Sequence, residues 1–199
     1  NADIVGALNT QDWSIVFNNN QFKLPLEGVH NAMNFMLALA VANELNVPLP
    51  NIGNLQVELP PGRSQILKIG EIHVMDQTYN ASPESVKAAI DLLVTKPGRS
   101  FAVLGEMLEL GVGSIDFHRE VVEYAVSKGL TGLIILSKGQ EAAEMFAAAK
   151  SLEYIEVASS LDKVIYTLKN WLRSGDYLLL KASRQLSLEK LLPLLKENF

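Results

Sequence analysis

From Ser64 onward one pattern repeats along the chain: a short apolar run, a polar turn, then a stretch with helical apolar spacing. The runs are SFAVLG (100–105), GLIILS (132–137), YIEVA (154–158) and DYLLLKA (176–182). Between and after them lie PESVKAAIDLLVT (83–95), SIDFHREVVEYAVSKG (114–129), GQEAAEMFAAAK (139–150), SLDKVIYTLKNWLRSG (160–175) and SLEKLLPLLKEN (187–198). A strand that is apolar on both sides needs cover on both faces, and amphipathic helices supply it. The pattern therefore predicts an α/β fold, a mostly parallel sheet with helices on both faces. SQILKIG and EIHVMDQ, just upstream, read as a strand pair. Pro83 suits a first helical turn. Ser114 is a candidate N-cap and Gly129 a candidate stop.

The first 61 residues have a different texture. DWSIVFN and QFKLPL read as strands with Asn18 to Asn20 as their turn. VHNAMNFMLALAVANEL has the period of a well-buried helix that ends before Pro48. VPLPNIGNLQVELPPGR is rich in Pro and Gly and reads as a linker. Two domains are expected, residues 1–61 and 62–199.

Composition excludes several functions. The chain of 199 residues carries 17 basic and 22 acidic side chains, a formal charge of −5. That balance predicts no general nucleic-acid binding, which needs cations to displace phosphate counterions. The absence of cysteine rules out disulfides and thiolate chemistry and fits a cytoplasmic protein. No basic-then-apolar leader opens the sequence, and MLALAVA (36–42) is too short to span a bilayer, so no membrane insertion is expected. The three histidines, His30, His73 and His118, lack metal-ligand spacing, so no metal site is expected in the chain itself. The start lacks Met and falls in mid-pattern, which predicts a fragment or a processed product.

Ligands of such sheets bind beyond the carboxyl ends of the strands. Those ends are MDQTYNASP, LGEMLELG, ILSKG and LKASR. In the first, Asp76 offers an acceptor for ribose hydroxyls, and Tyr79 and Asn80 could face a nucleotide. The alternative is that Asn80 and Ser82 cap the next helix. In the last, Lys181, Ser183 and Arg184 suit a carboxylate or phosphate; the alternative is a basic surface turn. Arg63, in PPGR, follows a stiff turn and suits a phosphate, or is a solvated linker residue. His30 and Asn34 share one helical face. An amide there suits an adenine edge, whereas His30 and Asn31 could instead cap the helix. His118, alone on its helix, reads more readily as structural than as catalytic. No G-x-x-x-x-G-K-[ST] phosphate loop occurs anywhere in the sequence.

In this order, GVHNAMN, PGR, DQTYNASP, LGEMLELG, HREV and GDYLLLKASR resemble the Mur ligase family, and within it the D-alanyl-D-alanine-adding branch. Gln77 stands where many members carry an acid, and Ala182 and Gln185 where glycines are usual. The resemblance runs from Gly28 to the end. It implies a Rossmann-like C-terminal domain preceded by the tail of a central ATPase domain. It implies peptidoglycan precursor synthesis with ATP and Mg2+ as cofactors, and with UDP-MurNAc-tripeptide and D-alanyl-D-alanine as substrates of a cytoplasmic monomer. His30 and Asn34 would then lie near adenine, Arg63 at the nucleotide, and Asp76 at its ribose. Tyr79 and Asn80 would lie beside the ATP site, and Lys181, Ser183 and Arg184 at the dipeptide. The catalytic lysines of the central domain are absent, so the chain alone is expected to be inactive. The alternatives are a stand-alone nucleotide-binding or interaction module, or another amide ligase of the same superfamily.

Overall fold

The computed structural model describes residues 5–48, 58 and 60–199. It divides into two compact units, Asn1–Leu59 and Pro60–Phe199. Most of the expected Pro- and Gly-rich linker, residues 49–57 and 59, lies outside the described residues.

The first unit is an antiparallel meander and a helix. Its strands are β1 (Ala7–Asn9), β2 (Ser14–Phe17) and β3 (Asn20–Lys23), in that spatial order. Phe17 pairs with Asn20, so Asn18 and Asn19 form a two-residue turn, both with positive φ. Asparagine tolerates that conformation, and the resulting turn matches strand twist. Ile15, Phe17, Phe22 and Leu24 pack with Ala32 and Leu39 of α1 (Val29–Glu44). The helix is less buried than its composition suggests. Val29, Met33, Leu37, Val41 and Leu45 are all exposed, at i+4 spacing along one stripe.

The second unit holds a six-stranded sheet in the order β4, β5, β9, β6, β7, β8. The strands are β4 (Gln65–Ile69), β5 (Ile72–Asp76), β6 (Ser100–Gly105), β7 (Gly132–Leu136), β8 (Tyr154–Ala158) and β9 (Tyr177–Lys181). β4 and β5, the expected strand pair, run antiparallel; every other pairing in this sheet is parallel. The helices are α2 (Pro83–Val94), α3 (Ser114–Ser127), α4 (Gln140–Ala148), α5 (Leu161–Trp171) and α6 (Leu191–Asn198). α2, α3 and α4 pack side by side, and α5 packs on α6. The α5–α6 layer buries Val74, Phe101, Val103, Ile134, Leu178 and Leu180, the alternate residues of the strands. All six residues of β6 are buried, as a strand covered on both faces requires.

Three local readings need correction. Ser114 is the first helical residue and Gly113 the cap, with no side-chain cap bond, because the Ser114 hydroxyl donates to Glu141 instead (3.0 Å). The last helix begins at Leu191 rather than Ser187; the intervening Leu188–Lys190 is a 3-10 turn. The short exposed strand β1 was not foreseen.

Candidate functional site

The order of the strands creates the site. β9, last in sequence, lies between β5 and β6. The chain leaves β5 and β6 for the α2–α4 layer, but leaves β9 for α6 on the opposite face. Neighbouring strands whose chains part to opposite faces leave a crevice beyond their carboxyl ends. Asp76, Gly105 and Lys181 end those three strands.

Beyond β5 the chain is tightly held. Asp76 Oδ1 accepts from the Thr78 amide (3.2 Å) and the Thr78 hydroxyl (2.7 Å). The Tyr79 amide donates to the Gly62 carbonyl (3.1 Å). Gly62 has φ +81°, and a Cβ there would stand 2.8 Å from the Tyr79 nitrogen. Glycine is what lets the PPGR turn lie against the 76–80 loop. As a result the Arg63 guanidinium sits 3.9 Å from the centroid of the Tyr79 ring, and Arg184 5.0 Å from the same centroid. Both are cation–π contacts. Ser82 then starts α2 in a reciprocal capping box with Ser85. That satisfies the capping alternative for Ser82, while the Asn80 carbonyl does something else.

That carbonyl accepts a hydrogen bond from Lys181 Nζ (2.8 Å). Lys181 is only 4% exposed. Burial lowers its ammonium from the ordinary 10.5 to about 8, and the charge of Arg63 acts in the same direction. Among the described residues no carboxylate lies within ion-pair distance of Arg63, Lys181 or Arg184. Three cations thus converge without a counter-charge.

Beyond β6 and β9 two loops are sewn together. The Ser183 amide donates to the Glu106 carbonyl (3.0 Å), and Ser183 Oγ accepts from the Leu108 amide (2.8 Å). Gly105 permits this approach, because a Cβ there would meet the Ala182 Cβ at 2.7 Å. His118, 1% exposed, accepts from the Met107 amide through Nε2 (2.8 Å) and bonds the Ser114 carbonyl through Nδ1 (2.7 Å). The ring therefore carries its proton on Nδ1 and holds the LGEMLELG loop in place. Glu106 Oε1 accepts from the Ser137 hydroxyl (2.6 Å). It borders a cavity of about 330 Å³ lined also by Lys138, Ser160, Leu161 and Leu186.

Arg63, Asp76, Tyr79, Asn80, Lys181, Ser183 and Arg184 are thus brought to one edge of the sheet. His30 and Asn34 belong to the first unit, in the first turns of α1. No side chain caps that helix, and the Asn31 side-chain Nδ2 donates instead to the Glu27 carbonyl (2.7 Å). The sequence singles out Gln77 only as the position where many family members carry an acid, and does not single out Thr78. The register of β5 with β9 is what adds the place of Gln77 beside Lys181.

Comparison with known proteins extends this picture. A family model described as Mur ligase, glutamate ligase domain, matches residues 62–184. A UDP-N-acetylmuramoyl-tripeptide–D-alanyl-D-alanine ligase from Synechocystis is 36% identical over 200 residues, covering 98% of this chain but 43% of that protein. One from Treponema pallidum is 32% identical, covering 92% of this chain and 41% of its own length. Among solved structures, the MurF ligase of Thermotoga maritima in complex with ADP superposes with a TM-score of 0.79 at 27% identity, over 93% of this chain and 43% of that one. MurF from Acinetobacter baumannii gives 0.79 at 28%, over 96% and 44%. The chain spans less than half the length of the relatives it matches.

Proposed function

The chain belongs to the Mur ligase family, through the glutamate ligase domain, and from that premise we propose that it is the carboxy-terminal part of an ATP-dependent ligase joining D-alanyl-D-alanine to UDP-MurNAc-tripeptide. The observation that carries the reading is the set of three uncompensated cations, Arg63, Lys181 and Arg184, at the crevice where strand order reverses. Residues 1–61 are the tail of the central ATPase domain, and the exposed stripe of α1 is the face that the rest of that domain covers.

ATP would supply the phosphoryl group that activates the acceptor carboxylate, leaving as ADP, and Mg2+ would neutralise the phosphate charge. Arg63, held over the Tyr79 ring, orients the nucleotide. Asp76 commits one oxygen to Thr78 and keeps the other for the ribose. Asn80 lies beside the ATP, and His30 and Asn34 lie near its adenine. Lys181, Ser183 and Arg184 face the dipeptide and hold it where its amine meets the activated carbonyl carbon. That amine forms the new C–N bond, and inorganic phosphate leaves. Among the described residues no group of three or more His, Asp or Glu side chains is placed to hold a metal. In this reading the Mg2+ ligands come from the phosphates and from the remainder of the ligase. No helix among the described residues is long and apolar enough to cross a membrane, and the ligase is read as a cytoplasmic monomer.

The test is an assay of the full-length protein with ATP, UDP-MurNAc-tripeptide and D-alanyl-D-alanine. Amide formation that requires all three is expected. Preference for another amine, such as diaminopimelate, lysine or glutamate, would overturn the assignment. The 199-residue chain alone is expected to give no turnover, since its sequence has no phosphate loop.

A further inference from the structure

Gln77 follows Asp76 at the end of β5, and its amide N–H donates to the Leu180 carbonyl (3.1 Å). That bond continues the parallel ladder in which Asp76 pairs with Leu180. Gln77 therefore stands directly beside Lys181, with side chains on the same face of the sheet, towards α2. Adjacent strands lie about 4.8 Å apart, which puts the two side chains within reach of one small group.

Both side chains are more than nine-tenths buried, Gln77 at 8% exposure and Lys181 at 4%. Gln77 Nε2 is buried with no hydrogen-bond partner, the sole such side-chain atom among the described residues. Lys181 offers three hydrogens and makes one hydrogen bond, to the Asn80 carbonyl. Leaving a buried donor unmatched costs about 1–3 kcal/mol, more for a charged group. Two such neighbours, at the crevice, with Arg63 and Arg184 nearby and no carboxylate among the described residues within ion-pair distance, describe a site whose acceptor comes from outside.

We propose that Gln77 and Lys181 together form an oxyanion subsite, the amide binding one oxygen and the ammonium the other. Gln77, which the sequence marks only as a departure from the acid many family members carry, thereby becomes a specificity-determining residue. The oxyanion is either the carboxylate end of the amine substrate or a phosphate of the nucleotide. The choice of probes rests on the ligase reading; the subsite itself rests on the two buried donors.

The experiment follows Lys181 by NMR in the chain labelled at lysine Cε, with its resonance identified by its absence in Lys181→Met. The titrants are D-alanyl-D-alanine, ADP and inorganic phosphate, each at constant ionic strength. An oxyanion bound there stabilises the ammonium, so the Lys181 titration should move to higher pH while that of exposed Lys138 stays put. Response to the dipeptide alone assigns the carboxylate; response to ADP and phosphate assigns the nucleotide. Gln77→Met keeps the size of the side chain and removes the donor, so binding should weaken roughly ten-fold or more. Gln77→Glu places an acid beside Lys181, which should raise its titration without any ligand and abolish the response.

No movement of Lys181 with any titrant would overturn the proposal. So would equal movement of Lys138, an ionic-strength effect only, or unchanged affinity in a folded Gln77→Met. The wild-type titration stands whether or not a variant folds. Failure here with a working full-length ligase would remove the subsite and leave the ligase reading intact. A Lys181 response with an inactive ligase would do the reverse.

Discussion

At the amino edge of the sheet, Asp176 precedes β9 and is 3% exposed; at the carboxyl edge, Lys181 ends the same strand and is 4% exposed. The two charges stand five residues apart in sequence and are equally hidden. Asp176 accepts from Arg99 Nε (3.0 Å), from an Arg99 terminal nitrogen (2.6 Å) and from the Arg173 amide (2.7 Å). Arg99 also donates to the Trp171 carbonyl (2.9 Å). The hydrogen bond to Asp176 raises the Arg99 guanidinium above its ordinary range. Lys181 has one carbonyl and a repelling neighbour. One edge closes its charge with a bidentate partner; the other leaves its charge open. The difference separates a contact that holds the sheet from one that waits for a ligand.

Removing the closed charge should have the largest effect. Asp176→Ala leaves Arg99 without its partner and the Arg173 amide without its acceptor. Breaking a buried pair costs about 3–5 kcal/mol, and water still reaches about a third of the Arg99 side chain. An expected loss of about 2–3 kcal/mol follows after that discount. Urea unfolding followed by Trp171 fluorescence measures it, and the response of Lys181 to anions should survive. Loss of that response with the fold intact would break the separation of the two edges.

His118 offers the next test, because it lies on the functional edge yet is satisfied like Asp176. His118→Leu keeps the volume but strands the Met107 amide in a buried place, which should cost about 1–3 kcal/mol. Hydrogen exchange at Met107 and Leu108 should rise most. Uniform exchange across β6 and its loop would mean that His118 merely fills space.

Much of this fold is written in local pattern. Each strand from β5 to β9 is an apolar run between turns, and each helix has a visible apolar stripe. Spatial order is not local: nothing in DYLLLKA says that it inserts between β5 and β6, because pairing depends on which faces the helices cover. The burial of α1 was misjudged for a related reason. Composition records that Met33, Leu37 and Val41 are apolar, but not what covers them. At the site, polar density at strand ends pointed to Asp76, Lys181 and Arg184. Gln77 is legible only as a departure from the family's acid; its place beside Lys181 depends on the register, which no local pattern carries.

The smallest expected effect has the opposite sign. Lys181→Met replaces an unpaired buried ammonium with an apolar side chain of similar length. Replacing even a buried ion pair with apolar side chains is neutral or stabilising by about 1–4 kcal/mol, and an ammonium without a counter-charge has less attraction to lose; a gain of about 1 kcal/mol near pH 7 is expected, together with loss of anion binding. The gain must depend on pH in one direction. Below about pH 8 folded and unfolded chains both hold the Lys181 proton, and the wild type bears the full cost of burying the charge. Between about 8 and 10.5 the folded chain has released that proton and the unfolded chain still holds it. Wild-type stability therefore rises with pH across that window relative to the variant. Urea unfolding of both proteins at about pH 7 and about pH 10 should show the gap closing. A gap of equal size at both pH values would mean that the open charge at the carboxyl edge costs nothing, and the contrast with Asp176 would reduce to packing.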